Sequence, residues 1–117
     1  MFDPHRYAAG IRRTNEDERR AIEKRAAAAR QEAARLADLI GCEARADRVI
    51  LFGSLAENTV RSSDFDIDLA IDGGEIDRAA DLVERSPYPV DLVEYHLLPA
   101  HVKQRVNESG VVLYERE

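Results

Sequence analysis

Apolar positions change their period along this chain. From Thr14 to Ile40 they fall at helical spacing and are mostly alanine: Ala26 to Ala29, Ala33, Ala34 and Ala37, with Leu36, Leu39 and Ile40 near the end. Alanine has the highest helix propensity. Thr14 can cap the start, and Glu16, Asp17 and Glu18 follow in the first turn, where the helix dipole favours anions. Gly41 suits the residue that ends such a helix. The pattern predicts a helix from about Asn15 to Ile40, ~39 Å long. Residues 1–13, polar and carrying Pro4 and Gly10, are expected to be irregular. So long a helix exceeds what a small domain needs. Two readings follow: the far end projects toward a partner, or the helix is self-stabilised by its charges and docks only through Leu36, Leu39 and Ile40.

Beyond Gly41 the segments shorten. Val49-Ile50-Leu51-Phe52 is an apolar run ending at Gly53 and reads as a buried strand. Phe65, Ile67, Leu69 and Ile71 alternate with Asp64, Asp66, Asp68 and Ala70, the period of a second strand. After the Gly73-Gly74 turn, Ile76, Ala79, Ala80 and Val83 return to helical spacing, which Ser86-Pro87 ends. Val90 to Leu97 reads as a third strand. Pro99 opens a helix that Gly110 closes, and Val111 to Tyr114 is a last short strand. This order predicts an α/β (α+β) fold, a small mixed sheet covered by helices. The organisation is one domain over 14–117, with an N-terminal helix at 14–41 and a core at 48–115.

Composition narrows the function classes. The 117 residues suit a single domain. Charged residues make up 34% and aromatics 6%, so few rings are available to stack on bases. No apolar run approaches the ~20 residues of a membrane span, and no signal-like segment opens the chain. A single cysteine, Cys42, fits a reducing, cytoplasmic setting. The net charge of −6 is uneven: residues 1–50 hold 11 Lys/Arg and 9 Asp/Glu, residues 51–117 hold 6 and 14. The acidic half opposes direct nucleic-acid binding and suits a protein that binds metal cations.

Candidate chemistry lies in that half. A strand at 64–71 would set Asp64, Asp66 and Asp68 on one face, ~7 Å apart. Such carboxylates repel one another unless a cation neutralises them, and hard oxygens suit Mg²⁺. Asp91 sits inside the apolar run Pro89-Val90-Asp91-Leu92-Val93, where a carboxylate is paired, at an edge, or a ligand. If its strand neighbours 64–71, the acids converge. Gly53-Ser54 ends the first strand; glycine there lets backbone N–H groups approach phosphates. On its own it is a generic turn. His5, His96 and His101 are scattered and read as surface residues, and Tyr95 and Lys103 are not compelled toward any site. Cys42 reads as structural.

Taken together, Leu51-Phe52-Gly53-Ser54-Leu55-Ala56, Asp66-Ile67-Asp68-Leu69, Val90-Asp91-Leu92-Val93 and Gly110-Val111-Val112-Leu113-Tyr114 resemble the minimal nucleotidyltransferases of the DNA polymerase β superfamily, of the MntA-like antitoxin type. The resemblance covers about residues 48–115. It implies the nucleotidyltransferase fold, with Gly53 and Ser54 on the triphosphate and Asp66, Asp68 and Asp91 as catalytic residues binding two Mg²⁺ ions. It implies transfer of AMP, or another nucleoside monophosphate, from ATP or a related triphosphate to a hydroxyl. The acceptor it suggests is a partner protein such as a HEPN-type toxin, and it leaves a homo-oligomer open.

Two positions depart from the family pattern. Glu57 and Asn58 stand where the turn usually continues with Arg or Lys and then Gly. Asn tolerates positive φ, but Glu57 sets an anion near the expected phosphates. A binding module of the same fold, catalytically weak and masking its partner by contact, is therefore the alternative. Asp64/Asp66 is the alternative register for the acidic pair. A calcium loop over Asp64 to Glu75 is disfavoured because Leu69 stands where that loop needs glycine. The aspartates as a merely solvated strand face would leave Asp91 unexplained.

Overall fold

The computed structural model describes the backbone of residues 4–117 and side chains from Asn15 onward. Its elements are α1 (Pro4–Glu43), β1 (Arg48–Phe52), α2 (Ser54–Glu57), β2 (Ile67–Asp72), α3 (Ile76–Glu84), β3 (Val90–Glu94), a 3₁₀ turn (Tyr95–Leu97), α4 (Ala100–Ser109) and β4 (Val111–Glu115). The four strands form one sheet in the order β3-β2-β1-β4. β1 pairs antiparallel with both β2 and β4, while β2 and β3 run parallel. A parallel pair needs a crossover, and α3 provides it. The expected small mixed sheet is present.

The first helix differs from expectation at both ends. It begins at Pro4, so residues 4–13 are helical rather than irregular, and Thr14 lies inside it rather than at its cap. Residues 1–3 of that expected irregular segment lie outside the described residues. Proline is well placed in a first turn, where its missing N–H has no partner to lose. At the other end the helix continues past Gly41 to Glu43 and leaves through Arg45, which takes φ +58°. Gly41 serves packing instead: a Cβ there would collide with the Tyr114 ring of β4. At 40 residues α1 is ~60 Å long. Ala26, Ala29, Ala33, Leu36, Ala37 and Ile40 form a buried stripe at helical spacing. Docking thus reaches well beyond Leu36, Leu39 and Ile40, and the small alanines let the helix lie close to the sheet. Residues 15–21 stay exposed.

Strand periodicity divides the core between the two sheet faces. Val49, Leu51, Ile67, Leu69 and Ile71 point to the face that packs with α1 and α3. Ile50 and Ala70 point to the other, where Val106 of α4 covers them together with Phe52, Val93 and Val102. Asp68 shares this second face with Ala70, two residues along β2.

Two strand boundaries also differ. β2 starts at Ile67, so Asp64 and Asp66 precede it. The β1 register ends at Phe52↔Asp68, because the chain turns away at Gly53, and residues 64–66 have no strand partner there. β3 ends at Glu94, and Tyr95 to Leu97 wind into the 3₁₀ turn that leads to α4.

Candidate active site

The site gathers where β1 ends and β2 and β3 begin. Asp68 and Asp91 are direct partners in the parallel β2–β3 register. Register partners on adjacent strands lie about 5 Å apart and share a face. Asp66 stands two residues before Asp68, exposed, on the segment leading into β2. Asp68 is half-buried, and its carboxyl is pushed up to about 6, first by burial and then by the charges of Asp91 and Asp66. Among the described residues no salt bridge involves any of the three. The β2–β3 register thus sets Asp68 and Asp91 side by side, while Asp66 stands on the segment before β2. Asp64 is exposed, and its backbone N–H donates to Ser62 Oγ at 3.3 Å.

Gly53 joins the acids to the adjacent turn. It takes φ +76° and ψ −155°, a combination that L side chains avoid. A Cβ there would strike the Asp68 carboxylate, with Cγ only 3.1 Å away. The backbone therefore passes directly against the half-buried acid. Ser54 then opens α2, whose first N–H groups have no partner within so short a helix. The Glu57 N–H returns to the Gly53 carbonyl at 3.0 Å, and Asn58 ends the turn at φ +62°. Asparagine thus supports the left-handed residue that the turn needs.

Sequence reasoning missed two residues here. Arg30 of α1 donates from Nε to the Leu55 carbonyl at 3.0 Å and from Nη2 to Asn58 Oδ1 at 2.8 Å. The long helix therefore pins the end of α2. Arg105 of α4 grips Glu57 with two hydrogen bonds, Nε to Oε2 at 3.2 Å and Nη2 to Oε1 at 3.0 Å. The anion expected to face phosphates is already paired. Both pairings span tens of residues, and no local pattern announces them. Phe52, Gly53, Ser54 and Glu57 form one side of a cleft of about 390 Å³, and Val102, Arg105 and Val106 form the other.

The donor set fits a hard divalent cation of the Mg²⁺ type. Its atoms are carboxylate oxygens, and the burial and neighbouring charges that raise Asp68 are what such a cation would offset. Among the described residues, no three His, Cys, Asp or Glu side chains stand close enough together to hold a metal ion. Mg²⁺ can do with fewer: it is held by one or two carboxylates together with water and substrate phosphates.

Two solved structures share this fold. The chain overlays on the crystal structure of a toxin-antitoxin with AMP-PNP, with a TM-score of 0.53 and 23% identity over 68% of each chain. It also overlays on a toxin-antitoxin MntA-HpeT mutant, with a TM-score of 0.54 and 23% identity over 75% of this chain and 73% of that one. At that identity the likeness shows a shared fold. No curated protein matches the chain. Residues 36–117, which carry the sheet, the glycine turn and all three acids, match the family described as "Polymerase beta, Nucleotidyltransferase". On that match and this geometry, the chain belongs to the polymerase β nucleotidyltransferase family.

Proposed function

We propose that this protein is a Mg²⁺-dependent nucleotidyltransferase that moves AMP, or another nucleoside monophosphate, from a triphosphate to a hydroxyl on a partner protein. The observation that carries this reading is the register pairing of Asp68 with Asp91 beneath the Gly53 turn. In this reading Asp66, Asp68 and Asp91 hold two Mg²⁺ ions. Bound, the ions would supply Lewis acidity to the acceptor hydroxyl and to the leaving pyrophosphate. Gly53 lets the backbone pass against Asp68, and Ser54 offers a hydroxyl and an N–H to phosphate oxygens. In the same reading Asp91, which is exposed, accepts the proton of the acceptor hydroxyl.

Two solved structures sharing this fold are of toxin-antitoxin pairs, one of them with AMP-PNP. They support an antitoxin role with ATP as donor and a toxin, of HEPN type by the resemblance, as acceptor. The exposed stretch of α1 at residues 15–21 is available for docking it.

The test is to incubate the purified protein with Mg-ATP and its candidate toxin. A toxin mass gain of one AMP is expected, abolished when Asp66 and Asp68 are both replaced by Asn. A second reading draws on Glu57, an anion in the cleft: the protein protects by contact alone. Undiminished protection by the double variant, without any mass gain in the wild type, would establish that reading and remove the first.

A further inference from the structure

Among the described residues, Arg105 is the sole cationic side chain lining the cleft beside the Gly53-Ser54 turn. It enters from α4, on the wall opposite α2, and its two hydrogen bonds to Glu57 tie the walls together. The partners differ in freedom. The Glu57 side chain is 20% exposed, on a short helix whose end Arg30 holds. The Arg105 side chain is 72% exposed and can swing about its stem. A guanidinium carries five donors in a planar fork that matches phosphate as well as carboxylate. An anionic ligand in this cleft therefore meets one cation, already engaged by a carboxylate.

We infer that the Glu57–Arg105 pair is a latch across the nucleotide cleft: Arg105 binds the phosphates beyond the α-phosphate, and Glu57 competes with them for it. The inference rests on the nucleotide-binding reading above and adds the residue that recognises the triphosphate tail. When Arg105 turns to the phosphates, one charge-assisted pair is exchanged for another, and Glu57 is left facing the cleft as a repulsive charge. The latch thus weakens triphosphate binding relative to a neutral residue at 57. It also excludes small anions unable to offer a bidentate match. A nucleoside monophosphate does not reach Arg105 and is indifferent to the latch.

The test is calorimetric titration of the full chain with Mg-AMP-PNP and, separately, with AMP. An exposed ion pair alters an equilibrium by up to about fivefold. Glu57→Gln is expected to tighten AMP-PNP binding by about two- to fivefold, and Arg105→Gln to weaken it by at least as much. AMP binding should stay unchanged in both. Thermal melts confirm folding, and Arg105→Lys, which keeps the charge but loses the fork, should fall between wild type and Arg105→Gln. Glu57→Gln leaving AMP-PNP affinity unchanged or lower overturns the latch. If the wild type still binds AMP-PNP and Asp68→Asn does not, the nucleotidyltransferase reading survives that failure. No AMP-PNP binding by the wild type overturns both.

Discussion

Replacing Asp68 with Asn should make the metal-free protein more stable at neutral pH, although it removes a residue central to the proposed activity. In the folded chain the Asp68 carboxyl is raised from 3.8 to about 6 by burial and by Asp91 and Asp66. The folded state therefore holds the proton more tightly than the unfolded chain does. Between about pH 4 and pH 6 the folded state binds more protons, so stability falls as pH rises through that window. Above it the full cost of the ionised form is present. The bare shift corresponds to about 3 kcal/mol; because the group is only half-buried, water screens this to about 1 kcal/mol. Asparagine has nearly the same shape and no charge, so it escapes the cost. The expectation is a melting temperature about 4 °C above wild type at pH 7.5 with chelator present. The gap should close as pH falls toward 4, where wild-type Asp68 is neutral. The readout is the difference between the two proteins, which cancels the other carboxylates. Adding Mg²⁺ should raise the wild type by about 1.4 kcal/mol at ten times its dissociation constant and leave the variant unmoved. A variant no more stable than wild type at pH 7.5, or a gap that does not change with pH, would refute the crowded-carboxylate account of this site.

Other substitutions probe the supports around it. Gly53→Ala forces a Cβ into the Asp68 carboxylate at φ +76°; a loss of about 1–3 kcal/mol by chemical denaturation is expected, with nucleotide transfer abolished. Gly41→Ala drives a methyl group into the Tyr114 ring; about 1–3 kcal/mol should be lost in the same assay, with AMP-PNP affinity retained in the folded fraction. Arg30→Ala leaves the Leu55 carbonyl without its side-chain donor and releases Asn58. It should cost about 1 kcal/mol and speed hydrogen exchange in residues 54–58, with exchange across β1 unchanged. Leu69→Ala, fully buried between the sheet and α1, should cost about 2–5 kcal/mol in the same denaturation series.

The sequence by itself determined what local chemistry can determine. Alternation along 65–71 identified β2 and separated its apolar face from its acidic one. The run 49–52 ending in glycine identified β1 and its turn, and Asp91 stood out because a charge inside an apolar strand needs a reason. Alanine spacing identified α1 but not its limits. Pro4 and Gly41 read locally as a loop residue and a stop, whereas Pro4 occupies a first turn and Gly41 admits the Tyr114 ring across the fold. Only the tertiary structure decided pairings between distant segments. The parallel register that sets Asp68 beside Asp91 depends on the α3 crossover. The start of β2 at Ile67 depends on where β1 turns away. The neutralisation of Glu57 by Arg105, 48 residues later, depends on how α4 packs over the second sheet face. Period and propensity act over a few residues, while a register or an ion pair is settled by which surfaces are buried together, and no local pattern encodes that.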